Sequence, residues 1–195
     1  MEKFNHFNFL SPVYDRVFGR TTQSPIVDLA TIKPHHVVLD VGGGTGRIAV
    51  QMISIARQIF VADSAFRMIQ EAMKKGIIVI NTNAEQLPFA NGVFDRIIMV
   101  DAFHHVEDQR QTLDELWRIL KPGGMLIIEE PDINHWLVKI IALGEKILLM
   151  RSHFLQPTDI KAMSCFSDAK SIDIRSDKGI AWIIISKHKH QNNKE

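Results

Sequence analysis

Cysteine is almost absent. Cys165 stands alone among 195 residues, which excludes an internal disulfide and a thiolate metal cluster. A reducing, cytoplasmic setting fits that usage. Neither sign of charge dominates: 23 Lys and Arg face 22 Asp and Glu, for a formal net charge of +1. The basic footprint of a nucleic-acid binder is missing, and no nucleic-acid partner is expected. Long apolar runs are missing too. The most apolar stretch, Trp136–Met150, is broken by Lys139, Gly144, Glu145 and Lys146, and it falls short of the roughly 20 residues of a membrane span. The opening MEKFNHFNFL has no apolar core of a secretion signal. There are no repeats.

What remains has the size and balance of one folded domain, with 46% hydrophobic and 23% charged residues. Its centre is Val37–Ala49, VVLDVGGGTGRIA. A β-branched apolar run meets a glycine cluster, and Ile48, Ala49, Met52, Ile53 and Ala56 then recur at helical spacing. The spacing predicts strand, tight turn and helix, with the glycines letting a ligand approach the backbone. A dinucleotide fingerprint would read G-x-G-x-x-G. Here the glycines read G-x-G-x-G, and Arg47 stands where the third glycine would fall. Asp40 places a carboxylate at the strand's end, suited to an ammonium group.

A second strand, Gln58–Ala62, ends at Asp63, about 20 residues past the first glycine, where a carboxylate can accept from both hydroxyls of a ribose. Capping of the next helix by Asp63 or Ser64 is the structural alternative. Ala65, Met68, Ile69, Ala72 and Met73 form that helix's apolar stripe, and Gly76 ends it. Ile77–Ile80 reads as a buried third strand before the loop Asn83-Ala84-Glu85-Gln86-Leu87-Pro88-Phe89. Phe94–Val100 is the fourth strand, delivering Asp101-Ala102-Phe103-His104-His105 to its carboxyl end. A helix striped by Leu113, Leu116, Trp117 and Leu120 stops at Lys121-Pro122-Gly123-Gly124, and Met125–Ile128 leads to Glu129-Glu130-Pro131-Asp132. Ser171–Arg175 and Ile180–Ser186 flank the hairpin signal Asp177-Lys178-Gly179.

Alternating strands and helices closed by a hairpin predict an α/β fold, mostly parallel with one antiparallel strand. One domain, 1–195, is expected: an N-terminal lid or cap helix in 1–30, a Rossmann-like core in 31–187 with an apolar helical insertion at 134–155, and a polar tail at 188–195.

Three segments together, the glycine loop, NAEQLPF, and the LKPGG–strand–EP sequence, resemble the class I S-adenosylmethionine-dependent methyltransferases, on the branch that methylates small molecules and includes quinone-ring enzymes. The resemblance covers roughly Val37–Lys187. It implies seven strands in the order 3-2-1-4-5-7-6, the seventh antiparallel, with helices on both faces. It implies S-adenosylmethionine as cofactor, held by Tyr14, Asp40, Gly42, Gly43, Gly44, Asp63, Ser64, Met68, Asn83, Ala84, Glu85, Asp101 and Ala102. Asn83 replaces the commoner aspartate there, and its carbonyl still accepts a hydrogen bond.

His104 and His105 are the candidates for a general base, with substrate contact or packing as alternatives. A magnesium site would need Asp101, Asp132 and Asn134, but Ile133 separates an acid and an amide that metal-dependent relatives keep adjacent, so no metal is expected. The acceptor is expected to be a small hydrophobic or aromatic molecule under a mouth of Phe4, Phe7, Phe9, Phe18 and the 136–150 segment, which could instead join two copies in a homodimer. DNA amino-methylation would require an acid-Pro-Pro-aromatic loop after the fourth strand, and arsenite methylation several cysteines. A catalytically silent binding protein and a nicotinamide oxidoreductase are the rival readings.

Overall fold

A computed structural model of the chain describes residues 24–133 and 153–189. The expected N-terminal helix, Tyr14, the 136–150 segment and the last six residues of the tail lie outside these.

The described elements are α1 (Pro25–Leu29), β1 (Val37–Val41), β2 (Gln58–Asp63), α2 (Phe66–Lys74), β3 (Ile78–Asn81), β4 (Phe94–Val100), α3 (Gln109–Ile119), β5 (Leu120–Pro131), α4 (Pro157–Met163), β6 (Ala169–Asp177) and β7 (Ile180–Lys187). They build one seven-stranded sheet in the order β3-β2-β1-β4-β5-β7-β6, the expected one. β1 pairs in parallel with β2 and β4, whereas β7 runs antiparallel to both β5 and β6. The closing hairpin turns at Lys178 and Gly179, both with positive φ (47° and 82°), as a two-residue turn of this hand requires.

The central strands are continuous apolar runs because both faces are covered. On one face Leu39, Ile97, Leu126 and Ile183 meet Leu113, Leu116 and Trp117 of α3 and Ile160 of α4. On the other, Val38, Ile98, Ile127 and Ile184 meet Ile26 and Val27 of α1 and Ile69 and Ala72 of α2.

Several local expectations fail for physical reasons. The helix after the glycine loop is only a 3-10 turn, Ala49–Met52, and Ile53 is 45% exposed. The β-branched residues Ile48, Val50, Ile53 and Ile55 crowd χ1 in a helix and favour its early end. β3 is an edge strand, so Ile78 is 46% exposed rather than buried. Met73 is exposed on α2. Leu120 opens β5 instead of closing α3, and the LKPGG segment is taken into that strand as an irregularity: Phe94 pairs with Leu120, then Arg96 with Met125. Pro122 brings no N–H to the ladder, which accounts for the skip.

Candidate functional site

β1, β2, β4 and β5 end together at one edge of the sheet, and the sequence order reverses between β1 and β4, the place where open α/β sheets bind ligands. Gly42 follows β1 with φ +70°, and a Cβ there would lie 2.4 Å from the Ala102 Cβ. Only glycine lets the loops after β1 and β4 touch this closely. Gly46 serves packing instead, since a Cβ on it would meet Ile77 Cδ1 at 2.5 Å and Ala72 Cβ at 3.2 Å. With that contact already made at Gly46, Arg47 is tolerated after it.

Asp40 lies directly beneath the loop, its Cγ 2.6 Å from where a Gly43 Cβ would be. It is 1% exposed, and neither carboxylate oxygen has a hydrogen-bond partner. Burial raises its pKa from 3.8 to about 7; Arg47 and the nearby Ala49 N–H oppose the rise, and Asp63 and Glu129 add to it. Glu129 behaves alike. Its Oε2 accepts from Trp182 Nε1 at 2.6 Å, yet burial pushes its pKa to about 7, with Asp101 adding to the rise. Two carboxyls near neutrality with Arg47 as a shared cation make this a place that welcomes a further positive charge.

Asp63 caps backbone on both sides. Its Oδ2 accepts the Gly44 N–H at 2.9 Å and its Oδ1 the Ala65 N–H at 2.7 Å, so it starts α2 and steadies the glycine loop. Burial raises its pKa, and these backbone bonds oppose the rise. Each oxygen keeps a second lone pair for a ligand hydroxyl. Ser64 is exposed and makes no cap; Ala65 holds that position, with no side-chain bond. Met68 is buried beneath Gly44, its Cε 3.1 Å from a Cβ built there.

Asn83 is exposed beside half-buried Ala84 and Glu85. Glu85 Oε1 accepts from the Glu107 N–H at 2.8 Å, and Gln111 Nε2 donates to the Glu85 carbonyl at 3.1 Å. Arg118 donates to the carbonyls of Phe89 (2.7 Å) and Leu87 (3.1 Å), and Glu115 accepts the Leu87 N–H. The NAEQLPF loop is thus fastened along α3. Asp101 adopts φ +50°, a left-handed conformation uncommon for a non-glycine residue, and its N–H donates to the Glu129 carbonyl. His104 is buried against Glu130, and burial together with His104 lowers the His105 pKa to about 3. Sequence reasoning misses Glu129, Glu130 and Trp182 as site residues; the EP pair ending β5 is the available signal.

This sheet order, with a glycine loop after β1 and an acid ending β2, is a Rossmann-like fold that solved methyltransferases share. A possible histamine N-methyltransferase from Thermotoga maritima superposes with TM-score 0.79 at 24% identity, covering 93% of this chain and 98% of its own. A putative methyltransferase in complex with the Haloferax volcanii Trm112 activator gives 0.79 at 15% identity over 96% of this chain and 100% of the other. A methyltransferase-domain family model matches residues 39–128. The ubiquinone/menaquinone biosynthesis C-methyltransferase UbiE of Legionella pneumophila is 31% identical over 115 residues, 53% of this chain and 46% of its own. That of Serratia proteamaculans is 34% identical over 126 residues, 59% and 49%. The chain spans about half the length of the curated relatives it matches. Over residues 39–128 the chain is thus similar to the methyltransferase-domain family, and it shares the fold of solved S-adenosylmethionine-dependent methyltransferases.

The residues present suit that cofactor. Its ammonium would find a buried carboxylate without a hydrogen-bond partner at Asp40, and its ribose diol a strand-ending carboxylate at Asp63. Among the described residues, no helix is long and apolar enough to cross a membrane.

Proposed function

We propose that the protein methylates a small, hydrophobic or aromatic molecule, and that the acceptor is a hydroxyaromatic ring. The observation that carries the donor side is the fully buried Asp40 carboxylate without a partner under the glycine loop. The acceptor class is drawn from the curated relatives, which are named as quinone-biosynthesis C-methyltransferases.

Asp40 holds the ammonium, Asp63 the ribose hydroxyls, and Asn83 with the Ala84 backbone the edge of the base. Gly42, Gly43, Gly44 and Met68 shape the floor, while Asp101, Ala102, Glu85, Ser64 and Tyr14 complete the candidate set. S-adenosylmethionine supplies a methyl group already activated on a good leaving group. The protein's share is to align the acceptor, exclude water and receive whatever proton the acceptor loses.

The test is incubation with S-adenosylmethionine and 1,4-naphthalenediol kept reduced, followed by mass spectrometry. A product heavier by one methyl supports the reading. Turnover confined to an amine or a sugar from a metabolite panel contradicts it.

A further inference from the structure

The sheet has two outer strands, and they are built differently. β6 exposes Lys170, Asp173, Arg175 and Asp177 along its length, and a charged edge of that kind keeps a second strand away. β3 reads Ile78-Val79-Ile80-Asn81, with no charge and no proline. Its surroundings are apolar as well. Of the large apolar side chains left exposed among the described residues, all but Ile180 come from positions 50–78: the 3-10 turn and its exit, α2, and β3. Ile53, Met73 and Ile78 are 45%, 58% and 46% exposed. Apolar exposure gathered along one edge marks an interaction surface.

The backbone shows which residues reach outward. The Thr82 N–H donates to the Asp63 carbonyl of β2 at 3.1 Å, and successive residues of a strand turn their main-chain groups to opposite edges. Val79 and Asn81 therefore aim N–H and C=O away from β2, at the side of β3 where the sheet ends. Pairing with β2 sets Ile78 beside Phe60 and Val79 beside Val61. Ile78 and Ile80 thus share one face of the sheet, and Val79 takes the other.

We propose that this edge pairs with the same edge of a second copy of the chain, antiparallel and centred on Val79. Parity fixes the register. A two-fold axis normal to the sheet keeps each face continuous only where residues of the same face meet. Val79 then exchanges both main-chain bonds with the partner's Val79, and Ile78 lies opposite the partner's Ile80. The Asn81 N–H reaches the partner's Ile77 carbonyl, while the Ile77 N–H is already given to the Ala72 carbonyl. The isoleucine pairs are the β-branched cross-strand contacts that stabilise sheets. Charge fixes the direction. Lys74 and Lys75 precede the strand, and Asn81, Thr82 and Asn83 close it. The antiparallel arrangement sets the lysines of one copy beside uncharged side chains of the other, whereas a parallel one would bring lysine to lysine. Pairing of β3 with a partner's β6 would meet that strand's charges and would not close on itself. Two copies therefore share one continuous sheet, with their crevices opening at opposite edges.

The test is size-exclusion chromatography with light scattering on the full chain, joined to disulfide trapping in a Cys165→Ser background. Wild type should run at twice the 22.2 kDa mass of one chain. Ile78→Lys puts a charge into the pair. Val79→Pro removes an N–H that faces the partner rather than β2, so the ladder with β2 survives. Each should raise the dimer dissociation constant at least about tenfold while keeping the far-UV circular dichroism of wild type. Val79→Cys should form a disulfide between copies on oxidation, because opposed residues of a hydrogen-bonded antiparallel pair have Cα atoms about 5.5 Å apart, within disulfide reach. Asn81→Cys, opposite the partner's Ile77, should not. A wild type that keeps the mass of one chain at high micromolar concentration overturns the proposal and leaves the edge to a strand of another protein. A dimer that survives both Ile78→Lys and Val79→Pro overturns it by placing the contact elsewhere. A dimer in which Val79→Cys fails to crosslink, or Asn81→Cys crosslinks equally well, overturns it even where Ile78→Lys or Val79→Pro does not fold.

Discussion

Asp63 reaches from the end of β2 to the Gly44 N–H, 2.9 Å away, while its other oxygen takes the Ala65 N–H at 2.7 Å. One carboxylate therefore joins the cofactor loop to the start of α2. Asp63→Ala should cost both stability and binding, and the two separate on measurement. Leaving two N–H groups without their acceptor should lower unfolding free energy by about 1–3 kcal/mol in denaturant titration. S-adenosylhomocysteine affinity should fall at least about tenfold, since hydrogen bonds to a charged group are worth about 1.5–3 kcal/mol each. Unchanged affinity with lowered stability would make Asp63 a cap alone.

Asp40 and Glu129 tie stability to pH. Both are acids whose folded pKa, about 7, lies above the ordinary 3.8 and 4.5. Between about 4 and 7 the native state therefore holds protons that the unfolded chain has released, so stability falls as pH rises through that window. His36 and His105, whose folded pKa values are lowered to about 4 and about 3, oppose this trend up to about 6.5, so the decline is read as the difference between thermal melts of ligand-free wild type and Asp40→Asn. Asp40→Asn should flatten it and raise Tm at pH 8 relative to wild type, while weakening S-adenosylmethionine binding. Binding by the wild type should strengthen as pH rises through 7, because the cationic cofactor favours ionised Asp40. A Tm difference between wild type and Asp40→Asn that stays constant from pH 4 to 8 would contradict the assignment.

The contact between Gly42 and Ala102 makes a two-part prediction. Gly42→Ala suffers a Cβ clash at 2.4 Å and a backbone at φ +70°, the latter alone worth about 1–2 kcal/mol. Ala102→Gly in the same chain removes the clash but not the backbone strain. The double variant should recover part, not all, of the stability lost in Gly42→Ala. Full recovery would show that φ carries no cost here.

Arg118 holds the NAEQLPF loop to α3 through the Phe89 and Leu87 carbonyls, with Glu115 as its partner at 2.7 Å. Arg118→Lys keeps the charge but loses the fork of donors. It should lower S-adenosylhomocysteine affinity several-fold in calorimetry while keeping the far-UV circular dichroism of wild type. Wild-type affinity would mean that the loop's conformation does not depend on this clamp.

The sheet was legible because its central strands are unbroken apolar runs separated by glycine, proline and charge: Phe94–Val100 falls where expected, and Lys178-Gly179 turns the hairpin. The floor of the site was legible for the same reason, since glycine spacing and a strand-ending Asp63 are local signals. Pairings made across the sheet were not. Nothing local says that Glu130 meets His104, 26 residues away, or that Trp182 meets Glu129, 53 away. Edge position was equally hidden, so Ile78 read as core until the strand order placed it outermost. Short-range propensity misled most where the 3.6-residue pattern after Gly46 suggested a helix that β-branched residues cut to a single turn.

The central claim is that the crevice over Asp40 and Asp63 holds S-adenosylmethionine. Isothermal titration of the purified chain with S-adenosylhomocysteine and with NAD, repeated on Asp63→Ala, tests it most directly. The account predicts saturable binding of the sulfur compound, no heat with NAD, and at least about tenfold weaker binding in the variant. Saturable NAD binding with no response to S-adenosylhomocysteine would contradict it.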